Sequence, residues 1–124
     1  MNSYRPEELF DAGGRLIRDL RMPDCHAHAV TVSSPGSVDA QDMRVLAKFL
    51  RDVIALNRDQ RNFRLFGPDE TRSNLLGAVF EVTSRQWDAA QEPNDEFLAP
   101  AGRVMDAMLS GHQCQGWLEG CGCG

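Results

Sequence analysis

The sequence has no apolar run approaching the roughly 18 residues that a membrane-spanning helix requires. Its first ten residues, MNSYRPEELF, lack the apolar centre of a signal peptide. Both observations point to a cytoplasmic protein with no membrane partner. A basic excess is missing too: 13 Lys plus Arg stand against 18 Asp plus Glu, for a net charge of -5. No basic surface therefore advertises nucleic acid or an anionic bilayer. Cysteine is scarce and unevenly placed, at Cys25, Cys114, Cys121 and Cys123. With three of them near the end of the chain, this is no secreted disulfide framework, and reduced thiols are expected. There is no internal repeat. A length of 124 residues allows one ordinary domain but not an enzyme that needs two large α/β domains.

What is present is a globular composition, 42% apolar and 25% charged. Pro6, Gly13, Gly14, Pro23, Pro35 and Gly36 punctuate the start, so residues 1–37 read as an irregular linker with one short strand at Val30-Thr31-Val32. Ser37 is a residue type that caps helices. After it, Met43, Leu46, Phe49, Leu50, Val53, Ile54 and Leu56 recur at helical spacing, with Arg44, Lys48, Arg51 and Asp52 on the opposite face. The pattern predicts an amphipathic helix ending near Asn57. Phe63 to Phe66 reads as a strand that Gly67-Pro68 ends, and Asp69 then caps a predicted helix through Val79 that buries Leu75, Leu76 and Val79. A strand feeding a helix N-terminus is the α/β signature, so residues 38–124 are expected to form a partial α/β unit. Further on, Asp88 to Pro100 is a loop by composition, Val104 to Leu109 a strand and Gly111 to Leu118 a helix. Residues 121–124, Cys-Gly-Cys-Gly, are expected to fray.

The run RNFRLFGPDETRSNLLGAVFEVTSRQW, residues 61 to 87, resembles a segment of the phosphoketolases. Their Phe-Gly-Pro-Asp-Glu-Thr turn followed by Ser-Asn is matched by Phe66 to Thr71 and by Ser73-Asn74. Further likeness lies in Tyr4 to Phe10, Val45 to Asn57, Phe80 to Thr83 and His112 to Gly120. The resemblance implies an incomplete piece of a thiamine-diphosphate-enzyme fold, reaching from the interdomain linker into the start of the pyrimidine-binding domain. It also implies the family's chemistry: xylulose 5-phosphate or fructose 6-phosphate is cleaved with inorganic phosphate to acetyl phosphate and an aldose phosphate. Thiamine diphosphate and Mg²⁺ are the implied cofactors, held at a homodimer interface.

Three departures bear on activity. The family's linker after Phe10 is contracted here to Asp11-Ala12-Gly13-Gly14. The arginine that follows Ser-Asn and helps hold the substrate phosphate is replaced by Leu75, which leaves Ser73 as the candidate phosphate contact, at an expected helix N-terminus. In the Ser-Glu-His-Gln motif the glutamate that activates the aminopyrimidine is replaced by Gly111. A positioned acid-base group of this kind contributes about 10²- to 10⁴-fold to rate. His112 remains as a candidate cofactor contact, and Glu119, about 12 Å along the helix by its rise, cannot substitute for the lost carboxylate. The chain is therefore expected to bind no cofactor and to be inactive by itself. The alternative is an association module that binds an intact subunit or a second copy.

Two other patterns have ordinary packing as their simpler explanation. Cys25, His26 and His28, with His112, Cys114, Cys121 and Cys123, offer thiolate and imidazole ligands, which leaves a Cys/His metal-binding module as a third and least favoured alternative; the spacing is not a zinc pattern, and no metal site is expected. Trp87 and Trp117 are expected in the core rather than stacked on a ligand.

Overall fold

The computed structural model describes residues 19–87 and 90–120, together with the backbone of 121–122. The likeness at Tyr4 to Phe10 and the contraction at Asp11 to Gly14 lie outside the described residues, as does Cys123. The elements run as a 3-10 turn (Cys25–His28), α1 (Asp42–Leu56), β1 (Leu65–Gly67), a 3-10 helix (Gly77–Glu81), β2 (Arg85–Gln86), β3 (Val104–Asp106) and α2 (Gly111–Gly122). The three strands form a parallel sheet in the order β1-β3-β2. Leu65 pairs with Val104 and Gly67 with Asp106, while Arg85 and Gln86 pair with Val104 and Met105 from the other side. The α/β class expected from the sequence is therefore the one observed.

The apolar stripe of α1 explains its place. Ile54 packs with Val79, Phe80 and Val104, and Leu50, Phe63, Leu65 and Val82 close around them. This cluster joins α1 to the 3-10 helix and to the central strand. Buried Asn57 ends α1 and ties down the chain before it: its Oδ1 accepts from Arg21 N at 3.0 Å, and its Nδ2 donates to Arg21 O at 2.8 Å.

Several expectations need correction. The first helix starts at Asp42, not after Ser37. Ser37 closes a turn instead, its hydroxyl donating to Ser34 O at 2.7 Å and accepting from Ser34 N at 3.2 Å. No strand forms at Val30 to Val32, where both valines are exposed. No α-helix follows Asp69, because that residue sits at φ 59 and Leu75 at φ 64, left-handed positions that helices exclude. A single turn takes its place, with Asn74 N donating to Glu70 O and Leu76 N to Thr71 O, before the 3-10 helix begins. Val79 is fully buried, but Leu75 and Leu76 only partly. The strand expected from Phe63 to Phe66 is shifted to Leu65–Gly67, and the one expected through Leu109 stops at Asp106, leaving Met108 and Leu109 exposed. The loop before β3 is interrupted by a parallel bridge between Arg85 and Leu98. Cys121 and Gly122, expected to fray, continue α2.

Candidate functional site

In open parallel sheets, ligands meet the protein beyond the carboxyl ends of the strands. Here those ends gather Gly67-Pro68-Asp69 after β1, Arg85 with Gln86 in β2, and Asp106 closing β3. The Asp106 side chain has no exposed surface. Its Oδ1 accepts from the backbone N–H of Asp69 at 2.9 Å and its Oδ2 from Arg85 Nη1 at 3.3 Å. The same Arg85 nitrogen donates to Asp69 Oδ1 at 2.7 Å, so one guanidinium bridges two carboxylates. The Phe80 ring lies 5.5 Å beneath it.

Gly67 leaves room for the buried Thr71 side chain: a Cβ there would lie a tight 3.1 Å from Thr71 Oγ1, and at an ordinary contact distance of 3.7 Å from Asp106 Oδ1. Burial lifts the Asp106 carboxyl above the ordinary 3.8, against the lowering pull of the Asp69 N–H and Arg85. Burial and the Asp106 charge likewise raise the Cys114 thiol on α2. Beside this network Asp69, Arg85 and half-buried Trp87 line an open cleft of about 310 Å³.

The candidate residues from the sequence surround this edge without forming one constellation. Ser73 is exposed in the turn before Leu75, where its hydroxyl donates to Glu70 O at 3.0 Å. It does not sit at a helix N-terminus, so the dipole expected to favour an anion there is missing. Gly111 and His112 are exposed at the start of α2, which Ser110 caps by accepting from Gln113 N at 3.3 Å. A Cβ on Gly111 would meet nothing within 4 Å. Among the described residues no hydrogen bond or ion pair joins Ser73 to His112. Glu119 accepts from Gln115 Nε2 at 3.1 Å, one turn earlier on the same helix.

Trp117 is half-buried and packs on Phe66 with ring centres 6.1 Å apart, so both tryptophans lie at the edge of the core rather than within it. Among the described residues, the potential metal ligands come together only around the 3-10 turn, and the side chains of Cys121 and Cys123 lie outside that set. Asp24, Cys25 and His26 bring their donor atoms within 4.8 Å of one another, all exposed. His28 instead faces Asp52, with Nε2 to Oδ2 at 3.2 Å, and meets the Phe49 ring edge-on.

Sequence reasoning missed Arg85 and Asp106. The available signal was an acid ending an apolar strand, Val104-Met105-Asp106, which placed a charge at a strand's carboxyl end.

Residues 44–124 match the family described as D-xylulose 5-phosphate/D-fructose 6-phosphate phosphoketolase. A "Probable phosphoketolase" of Clostridium acetobutylicum is 50% identical over 147 aligned residues, which cover 97% of this chain and 18% of that protein. Proteins with the same description from Rhodopirellula baltica and Rhodopseudomonas palustris are 48% and 50% identical, with the same coverage. The chain thus spans about a fifth of the length of these relatives.

Proposed function

Because the chain belongs to the phosphoketolase family, we propose that it corresponds to the stretch joining that enzyme's first domain to its pyrimidine-binding domain, residues 1–37 being the linker. The whole protein's reaction is then phosphorolytic cleavage of xylulose 5-phosphate or fructose 6-phosphate in the cytoplasm, and this chain does not perform it alone. The observation that carries the reading is Gly111. It opens α2 at the place where the family resemblance calls for a carboxylate, and the first turn of that helix holds no acidic residue.

Thiamine diphosphate with Mg²⁺ is the cofactor pair that the family reading implies, and the residues here do not fit its activation. Glycine can neither accept nor share a proton with the aminopyrimidine, and Glu119 lies two turns away. His112 remains an exposed contact for the ring at most. Ser73 is the proposed contact for the substrate phosphate, weakened by the carboxylates of Asp69 and Glu70 and by an apolar Leu75 in place of a guanidinium.

The test is an acetyl phosphate assay on the purified chain with fructose 6-phosphate, inorganic phosphate, thiamine diphosphate and Mg²⁺. No turnover is expected, and robust turnover would overturn the proposal.

A second reading, association with an intact subunit or a second copy, is favoured by the exposed apolar side chains of Met108, Leu109 and Leu118, which are 68%, 75% and 62% accessible. Co-purification with a full-length subunit supports it; a monodisperse monomer that captures no such subunit removes it.

A further inference from the structure

At the amino ends of β1 and β3, opposite the edge where Asp69, Arg85 and Asp106 meet, Arg61, Arg64 and Arg103 border a cleft of about 340 Å³. Phe66 and Leu118 form its apolar side. The guanidinium of Arg103 is half-buried and fixed: Nε donates to Phe63 O at 2.9 Å and Nη2 to the Arg61 carbonyl. A guanidinium carries five N–H donors, so three remain available. Arg64 is held against the sheet, its Nη1 donating to Gln86 Oε1 at 3.2 Å and lying 2.8 Å from Met105 Sδ. Arg61 ends the turn after α1 with φ 54 and an exposed side chain.

The ion pairs among the described residues involve other groups, so no carboxylate there neutralises these three charges. In a chain of net charge -5, three arginines facing one cleft without an acid leave a focused positive potential. Arg103 registers it: burial, followed by the charges of Arg64 and Arg61, pulls its pKa down to about 10. An anion in the cleft would remove that repulsion.

We infer that this cleft is a binding site for a small oxyanion of the phosphate class, gripped by Arg103 and Arg64 with Arg61 closing over it. The planar forks suit a tetrahedral dianion through paired N–H donors. The apolar wall of Phe66 and Leu118 leaves room for a small organic body, so a phosphate monoester fits as well as free phosphate. The site is separate from Ser73 and does not depend on catalytic competence.

The experiment is an NMR titration of the full ¹⁵N-labelled chain with inorganic phosphate and, separately, phenyl phosphate, holding ionic strength constant with sodium chloride. Saturable shifts are expected around Arg61, Arg64 and Arg103. Arg61→Asn, which tolerates a left-handed backbone, and Arg64→Gln should each weaken binding by about fivefold, the loss of one charge-assisted contact. Tighter binding of phenyl phosphate assigns the site to monoesters, and equal or weaker binding assigns it to free phosphate. The inference is overturned if chloride reproduces the shifts, if both folded variants bind as the parent does, or if the shifts centre on Ser73 to Leu75.

Discussion

Gly102 lies where the chain turns into β3, and its backbone runs so close to β2 that a Cβ would sit 2.4 Å from Ser84 O and 2.5 Å from the Arg85 carbonyl carbon. Neither atom is the mobile end of a side chain, so the strands themselves would have to separate. Gly102→Ala should cost about 3 kcal/mol, read from urea denaturation midpoints. Asp106 gives a prediction with a pH signature. Asp106→Asn can keep an acceptor for either the Asp69 N–H or Arg85 but not both, and should cost about 1 to 3 kcal/mol. Because burial raises the Asp106 pKa, the carboxyl's favourable contribution is complete below the unfolded value of 3.8 and is lost as pH rises through the folded value. The stability difference between parent and variant should therefore shrink with rising pH across that window. Asp52, lowered chiefly by its hydrogen bond to Arg51, works in the opposite sense, losing its contribution as pH falls. It is present in both proteins and cancels from the difference.

At the scale of elements, α1 was readable because its apolar stripe recurs over fifteen residues and needs no partner to be recognised. Truncating its most central member, Ile54→Ala, should cost about 2 to 4 kcal/mol in thermal or chemical melts. The three strands differ in this respect. β1 and β3 are apolar runs bounded by turn residues, whereas β2 is the polar pair Arg85-Gln86, made a strand by its bonds to residues nearly twenty positions later and bridged at Arg85 to Leu98. The helix expected after Asp69 failed for a similarly non-local reason: Asp69 is engaged with Arg85, and Leu75 turns left-handed where the local sequence favours continuation. The site was legible only where the family likeness reached it, at Ser73, Leu75, Gly111 and His112, while the bridging Arg85 was invisible without the fold. α2 is a weak helix, carrying Gly111, Gly116, Gly120 and Gly122 within its twelve residues. Gly111→Glu should raise its stability by about 0.5 to 1 kcal/mol, since open space surrounds the Cβ position and a carboxylate at a helix start is favourable. Circular dichroism during denaturation measures the gain, whatever the effect on catalysis.

Considered as a whole, the molecule places its core between α1, the 3-10 helix and the sheet, and leaves apolar side chains uncovered beyond β3 and on α2. If those side chains drive association, Leu109→Lys combined with Leu118→Lys should convert any dimer or larger species to monomer in light scattering without lowering the melting temperature, because both residues lie outside the core. The strand order carries a different consequence. The two outer strands, β1 and β2, make no bonds to each other, and both depend on β3, the last of the three in the sequence. A chain emerging from the ribosome can therefore form the bridge of Arg85 to Leu98 but none of the pairing of β1 or β2 with β3 until residues 103 to 106 are released, although α1 can form much earlier. Translation must hold Leu65 to Gly67 unpaired, and Arg85 to Gln86 without their central strand, over that interval, so the three-stranded sheet should appear late and in a single step, with nascent chains ending before Val104 remaining open to proteases and chaperones.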